Sequence, residues 1–213
     1  MGTRGRPRSF DRDEALATAL ELFWEHGYEG TSLSELTAAM GIASASLYAC
    51  FGSKEALFRE ALLLYGRTVG HGPKQALLDH ADTRDAFEAM LHATADAITI
   101  QDAPHGCMLV LAAPTGSIAS SEVRSLLADL RRTIVHDGIH DRLRQGVADG
   151  DILSPPADVD AVARYFTTVV EGMSVQARDG ATRADLEAVI TCAMAAWDVL
   201  TGTRPKRRAR ARS

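Results

Sequence analysis

The 213-residue chain is poor in what secreted, membrane-bound and catalytic proteins need. It has three cysteines, Cys50, Cys107 and Cys192, odd in number and far apart. That argues against a disulfide framework and fits a reducing cytoplasm. No run of about 18 apolar residues occurs, so no membrane span is expected. The opening segment, "MGTRGRPRSFDRDE", has no apolar stretch of the kind a signal peptide carries. Its sixth residue is not the serine or threonine of a myristoylation signal. Alternation of apolar and polar residues at period two is not apparent, which argues against strands. A nucleophile elbow, a phosphate-binding glycine loop and a GxGxxG motif are all missing, and "GRTVGHG" reads as a loop in glycines. No enzyme and no cofactor is expected.

Acid is missing from both ends. Arg4, Arg6 and Arg8 lie in a first octet without a carboxylate. Six basic residues from Arg204 to Arg212 close the chain in the same way. The ends hold nine of the 23 basic residues and none of the 28 acidic ones, which leaves the body at net −14. A strongly acidic body cannot coat a polyanion. Contact with nucleic acid must come through a small face helped by a basic arm.

Helical periodicity is plentiful. Leu16, Leu20 and Phe23 share one face of a helix that Gly27 should stop. Ser32 and Glu35 have the spacing of a capping box for a short helix to Met40. Gly41 ends that helix, a third covers about 44–51, and Ser53 caps a fourth. "GHGPK" at 70–74 reads as a breaker, and further helices are expected near 83–101, 105–113, 119–149, 157–178 and 183–200. The fold class is all-α, about nine helices: an N-terminal three-helix unit with helix-turn-helix spacing and a helical C-terminal part. The divisions are 1–8, a basic flexible arm; 9–62, the helix-turn-helix unit; 63–203, the helical C-terminal part; and 204–213, a basic disordered tail.

Two helices joined by a tight glycine turn can leave the second protruding. Leu33, Leu36, Ile42, Leu47 and Phe51 have the spacing of a small shared core. The outward residues of the second helix are small and uncharged: Ser44, Ala45, Ser46 and Ala49. Small side chains let a helix approach base edges. There hydroxyls exchange hydrogen bonds and methyls touch thymine.

The stretch "ALELFWEHGYEGTSLSELTAAMGIASASLYACFGSKEALF" resembles the N-terminal DNA-binding domain of the TetR family of transcriptional regulators. The resemblance covers about a quarter of the chain. It implies a homodimer, a double-stranded DNA operator and a small-molecule effector held by the C-terminal helices. It implies phosphate contacts from Thr31, Ser32, Tyr48 and Lys54, and base contacts around Ala43, Ser44, Ala45 and Ser46. Arg4, Arg6 and Arg8 are expected in a neighbouring groove or on the backbone. The chain departs from the family's pattern at Ala43, often serine, and at Cys50, usually aromatic or histidine. Those two departures motivate the alternative of a helical small-molecule- or partner-binding protein that has lost DNA reading.

In the C-terminal part, the apolar stretch with Cys107, Met108 and Leu111 is expected to line an effector pocket with Met90, Thr94, Ile98, Phe166, Val170 and Met173. Plain core packing is the competing reading. Two apolar stripes, Val159, Val162 and Val169 on one helix and Leu186, Val189, Ala193, Trp197 and Leu200 on another, are expected to pair across a two-fold axis. His136 and His140 are spaced like zinc ligands, but no third ligand stands at recognisable spacing, so no metal is expected. A dimeric, effector-released cytoplasmic repressor is the function these features point to.

Overall fold

The computed structural model describes residues 11–112, 121–152 and 158–202, and among these the regular structure is helical throughout. Three of the first four helices begin where a short polar side chain can cover free backbone N–H groups. Asp11 caps α1 (Arg12–Gly30) through Asp13 N and Glu14 N. Ser32 and Glu35 form a reciprocal capping box on α2 (Leu33–Met40). Ser53 caps α4 (Lys54–Arg67) through Ala56 N. The helix between them, α3 (Ser44–Phe51), starts at Ala43 with no side-chain cap. Gly41 ends α2 at φ 65°, a left-handed conformation that glycine adopts without steric cost, and so turns the chain sharply into α3.

Further along come α5 (His71–Asp79), α6 (Thr83–Ile98), α7 (Met108–Leu111) and α8 (Ser121–Arg131). A π-turn (Arg132–His136) joins α8 to α9 (Asp137–Asp149). The last three are α10 (Val159–Arg178), α11 (Arg183–Ala195) and α12 (Trp197–Thr201). Three expected boundaries need correcting. The break at "GHGPK" falls at 68–70, ending on Gly70, and the rest of the stretch opens α5, because Pro73 sits in the first turn, where its missing N–H is not needed. The apolar helix expected at 105–113 is the four residues of α7. The long helix expected at 119–149 is divided by the π-turn.

Two hydrophobic cores result. The first holds Phe23 and Trp24 of α1, Leu36 of α2, Leu47 and Phe51 of α3, and Phe58, Leu62 and Tyr65 of α4. Met108 and Leu109 of α7 and Val123 and Leu127 of α8 close it. The second holds Phe87, Met90 and Leu91 of α6, Ile139 and Leu143 of α9, Phe166 and Met173 of α10, Leu186 and Ile190 of α11, and Trp197. Fully burying each such aromatic contributes roughly 1.5–3 kcal/mol. Cys107 packs against both cores. Neighbouring residues of the π-turn divide between them, Ile134 on the first and Val135 on the second.

A buried arginine ties the α5–α6 connection. Arg142 donates to the carbonyls of Leu77, His80 and Ala81 and to Thr83 Oγ1, at 2.7 to 3.1 Å. Thr83 in turn donates to Asp151. No helix among the described residues is long and apolar enough to cross a membrane.

Candidate functional site

The head formed by α1–α4 presents α3 outward. Leu47 and Phe51 are buried beneath it, while Ala43, Ser44, Ala45, Ala49 and Cys50 are exposed and Tyr48 is 48% exposed. Ser46 is half-buried. The face toward solvent is therefore narrow, free of charge and made of hydroxyls and methyls around one phenol.

Basic groups stand beside this face rather than on it. Lys54 opens α4, and its ammonium lies 4.3 Å from the centre of the Tyr28 ring. Burial lowers its pKa, while Glu29 and Glu35 act in the opposite direction. Arg12, which sequence reasoning missed, grips Glu60 with Nη2 at 2.7 and 2.8 Å and lies 4.6 Å over the Phe51 ring. It latches the start of α1 to α4 and covers the end of α3. Its signal in the sequence was only the pairing of an arginine after a cap with a glutamate on a distant helix, which no local rule finds.

The N-terminus of α2 differs from expectation. Thr31 is fully buried, and its hydroxyl donates to the carbonyls of Gly27 (2.8 Å) and Leu22 (3.2 Å), so it closes α1 and has no route to a phosphate. Ser32 is exposed, but its N–H donates to Glu35 Oε2 at 2.7 Å and its hydroxyl accepts from Glu35 N. Glu35 already occupies part of the site where an anion would sit. Arg4, Arg6 and Arg8 lie outside the described residues.

Between the two cores lies a cavity of about 80 Å³. Five of the residues expected to line a pocket do so: Met90, Thr94, Ile98, Cys107 and Val170. Tyr65, Leu77, Ile134, Val135 and Ile139 complete much of its wall. The other four are corrected. Met108, Phe166 and Met173 are buried away from this cavity, although Met90, Ile98 and Val170 of the second core do line it, and Leu111 packs where a Gly106 side chain would go. Periodicity identified them as inward-facing but could not tell a packed interior from a hollow.

The cavity wall is largely apolar, with Lys74 of α5 and a few polar groups on it. Thr94 donates to Met90 O at 2.8 Å. The Tyr65 hydroxyl and the Cys107 thiol stand together on the cavity wall. Burial raises both pKa values, so near neutral pH Cys107 is a thiol and a weak nucleophile. The arrangement suits a largely apolar guest. A wider groove of about 630 Å³, lined by Arg59, Glu122, Ser125 and Asp129 among others, lies open to solvent between α4 and α8.

The two stripes expected to pair across a dimer are also corrected. Val162, Leu186, Ala193 and Trp197 are buried in the second core of the same chain, and Val159, Val169, Val189 and Leu200 pack against it. The exposed residues along α10 instead include Ala161, Arg164, Thr168, Val175 and Gln176. Those of α11–α12 include Ala188, Thr191, Cys192, Ala195 and Val199, the last 82% exposed. The α11–α12 row is uncharged, with Glu187 at its edge, whereas Arg164 stands within that of α10. His136 and His140 turn toward α10, with Nδ1 of His136 3.3 Å from Thr167 Oγ1 and Nε2 of His140 2.8 Å from Asp160 Oδ1. No group of three or more metal-ligating side chains is found among the described residues.

Residues 15–61 match the model of the "Bacterial regulatory proteins, tetR family". The chain is 35% identical over 199 residues to the HTH-type transcriptional repressor ComR of Escherichia coli (strain K12), covering 93% of this chain and 94% of that one. It is 28% identical over 176 residues to the HTH-type transcriptional repressor BdcR of the same organism, covering 83% of each. Among solved structures it resembles a cysteine-substituted TetR family transcriptional regulator CifR complexed with a 26-bp double-strand operator DNA. The identity is 43% and the TM-score 0.85, over 91% of this chain and 100% of that chain.

Proposed function

Because the chain belongs to the TetR family of bacterial transcriptional regulators, we propose that it is an effector-controlled repressor. Two copies would set α3 in successive major grooves of a pseudo-palindromic operator, about one helical turn apart. A small, mostly apolar molecule entering the cavity would release them. Regulation would be by binding rather than catalysis, in the cytoplasm. Residues 9–62 would read DNA and residues 63–203 would bind effector and partner.

The observation that carries this reading is the exposed face of α3 on a well-packed head. A helix that had lost its target would have no reason to keep hydroxyls and methyls outward over a buried Leu47 and Phe51. Ala43, Ser44, Ala45 and Ser46 are the proposed base-reading positions. Ser32, Tyr48 and Lys54 are the proposed phosphate contacts. One such head makes too few base contacts for useful specificity, which favours a dimer. The outward faces of α10 and α11–α12, mostly of small side chains, are the proposed dimer faces, since such side chains let helices pack closely into a four-helix bundle.

The test is titration of the purified protein against DNA from upstream of its own gene and of the neighbouring genes. Salt-sensitive, sequence-selective binding in the range of about 10⁻⁸–10⁻¹¹ M is expected. Equal affinity for these sequences and for unrelated duplexes would sink the reading.

A further inference from the structure

We infer that the turn Gly106–Cys107 is the joint through which filling of the cavity reaches the DNA-reading head, and that Trp24 is the residue that positions it. This rests on the proposed role of the cavity as the effector site. Four helices from both cores meet at these two residues. Gly106 donates its N–H to Ile98 O at the end of α6, at 2.9 Å. Its carbonyl accepts the indole N–H of Trp24 in α1 at 2.7 Å, a buried bond spanning 82 positions. Cys107 donates its N–H to Ser174 Oγ of α10 at 2.6 Å. The Cys107 thiol stands beside the Tyr65 hydroxyl of α4 on the cavity wall.

The joint has no slack. Gly106 stands at φ +85°, and a side chain there would meet the Ser174 carbonyl at 2.7 Å, so the turn lies directly against α10. Trp24 is held from its other side as well, because Arg178 Nη2 donates to its carbonyl at 2.8 Å. Its ring stands edge-on to Tyr65, with centroids 5.1 Å apart.

Size decides that the wall must move. The cavity holds about 80 Å³, and an ordinary small-molecule site needs roughly 300–1,000 Å³. Most of its lining residues stand on packed helices, which resist local displacement. Cys107 is carried by a turn, and its displacement carries the adjoining Gly106 carbonyl with it. The Trp24 hydrogen bond hands that motion to α1, which meets α4 through Phe23 and Phe58 and covers the end of α3 through Arg12.

A ligand is not needed to test this. Cys107→Leu adds volume at the wall. Trp24→Phe removes the indole N–H and keeps a ring near Tyr65. Affinity for the duplex from upstream of the chain's own gene is measured for the parent, each single variant and the double variant. Cys107→Leu is expected to weaken binding about tenfold in the parent and less than about twofold beside Trp24→Phe. A Trp24 that only stabilises the fold would weaken every variant alike and leave the effect of Cys107→Leu unchanged. That result, or a Cys107→Leu variant that binds like the parent, overturns the joint. If Trp24→Phe fails to fold, Arg178→Met cuts the other anchor, and if Cys107→Leu fails, Thr94→Leu fills the cavity from α6. A parent that binds no sequence selectively would instead remove the repressor reading on which the joint rests.

Discussion

The Lys54 ammonium lies 4.3 Å above the Tyr28 ring, so the cation at the start of α4 is held in place before any phosphate arrives. Tyr28 is itself fixed, 5.1 Å from Phe58 between ring centres. Tyr28→Leu should release Lys54 and weaken binding to all duplexes about two- to fivefold, the size of an exposed cation–π contact, while Tyr28→Phe keeps the parent value. Lys54→Met should lower the salt slope by about 0.9 for each protomer bound. An unchanged slope in Lys54→Met would mean that Lys54 does not meet the backbone.

The face of α3 offers methyls and hydroxyls but no arginine for guanine. Its readout should therefore lean on thymine methyls. Replacing thymine by deoxyuridine at operator positions under Ala45 and Ala49 should cost roughly tenfold or less per site. Affinities identical with thymine and deoxyuridine would show that the methyls are not read.

Ala195 is exposed at the end of α11, in the outward row that runs on into α12. Placing a carboxylate there with Ala195→Glu should shift the protein to monomers in sedimentation and reduce operator affinity at least about a hundredfold, because each monomer reads only half a site. A dimer that survives the substitution would move the interface elsewhere.

Phe166 meets Phe87 and Trp197 at 4.8 and 5.6 Å between ring centres. Its removal should act on stability, not on ligand choice. Phe166→Ala should lower unfolding free energy by about 3–5 kcal/mol in a denaturant titration. A loss under about 1 kcal/mol would mean that the site is not a packed interior.

Three exposed carboxyls add to the acid sensitivity of the fold. Hydrogen bonds to Ser32 hold Glu35 below its ordinary range, the Thr182 hydroxyl does the same for Asp185, and Arg183 for Glu187. Each therefore binds fewer protons folded than unfolded in the window between its lowered pKa and its ordinary one. Stability from these groups is present above about pH 4.5 and is lost as pH falls through the lowered values. Glu35→Gln should flatten the fall of melting temperature between about pH 5 and pH 3. An equally steep fall would remove Glu35 from the account.

The head was legible because its signals are local. Ser32 with Glu35, Gly41 and Ser53 announce their turns within four residues, and Leu47 and Phe51 fall on the face that must be covered. Thr31 was not legible, because its burial depends on how the Gly27 kink returns the chain over α1. Val162, Leu186 and Trp197 carried the right period and were assigned the wrong neighbour. A 3.6-residue repeat says that a face is buried, not whether its partner is the same chain or another. The outward positions of α10 and α11, such as Ala161 and Ala195, escaped notice because small residues give little hydrophobic contrast. The cavity was half legible for the same reason: a methionine at a wall and a methionine in a filled core look alike in sequence. The π-turn has no proline or glycine within it to mark it.

The chain has two tryptophans, and they stand in different settings. Trp197 is enclosed by Phe87 and Phe166, whereas Trp24 gives its indole proton to the carbonyl beside the cavity. An indole that gains or loses such a bond changes its emission colour and lifetime. With Trp197 replaced by phenylalanine, the remaining fluorophore would be an intrinsic optical gauge of the joint. Compound collections could then be screened for effectors by light alone, before the operator is known.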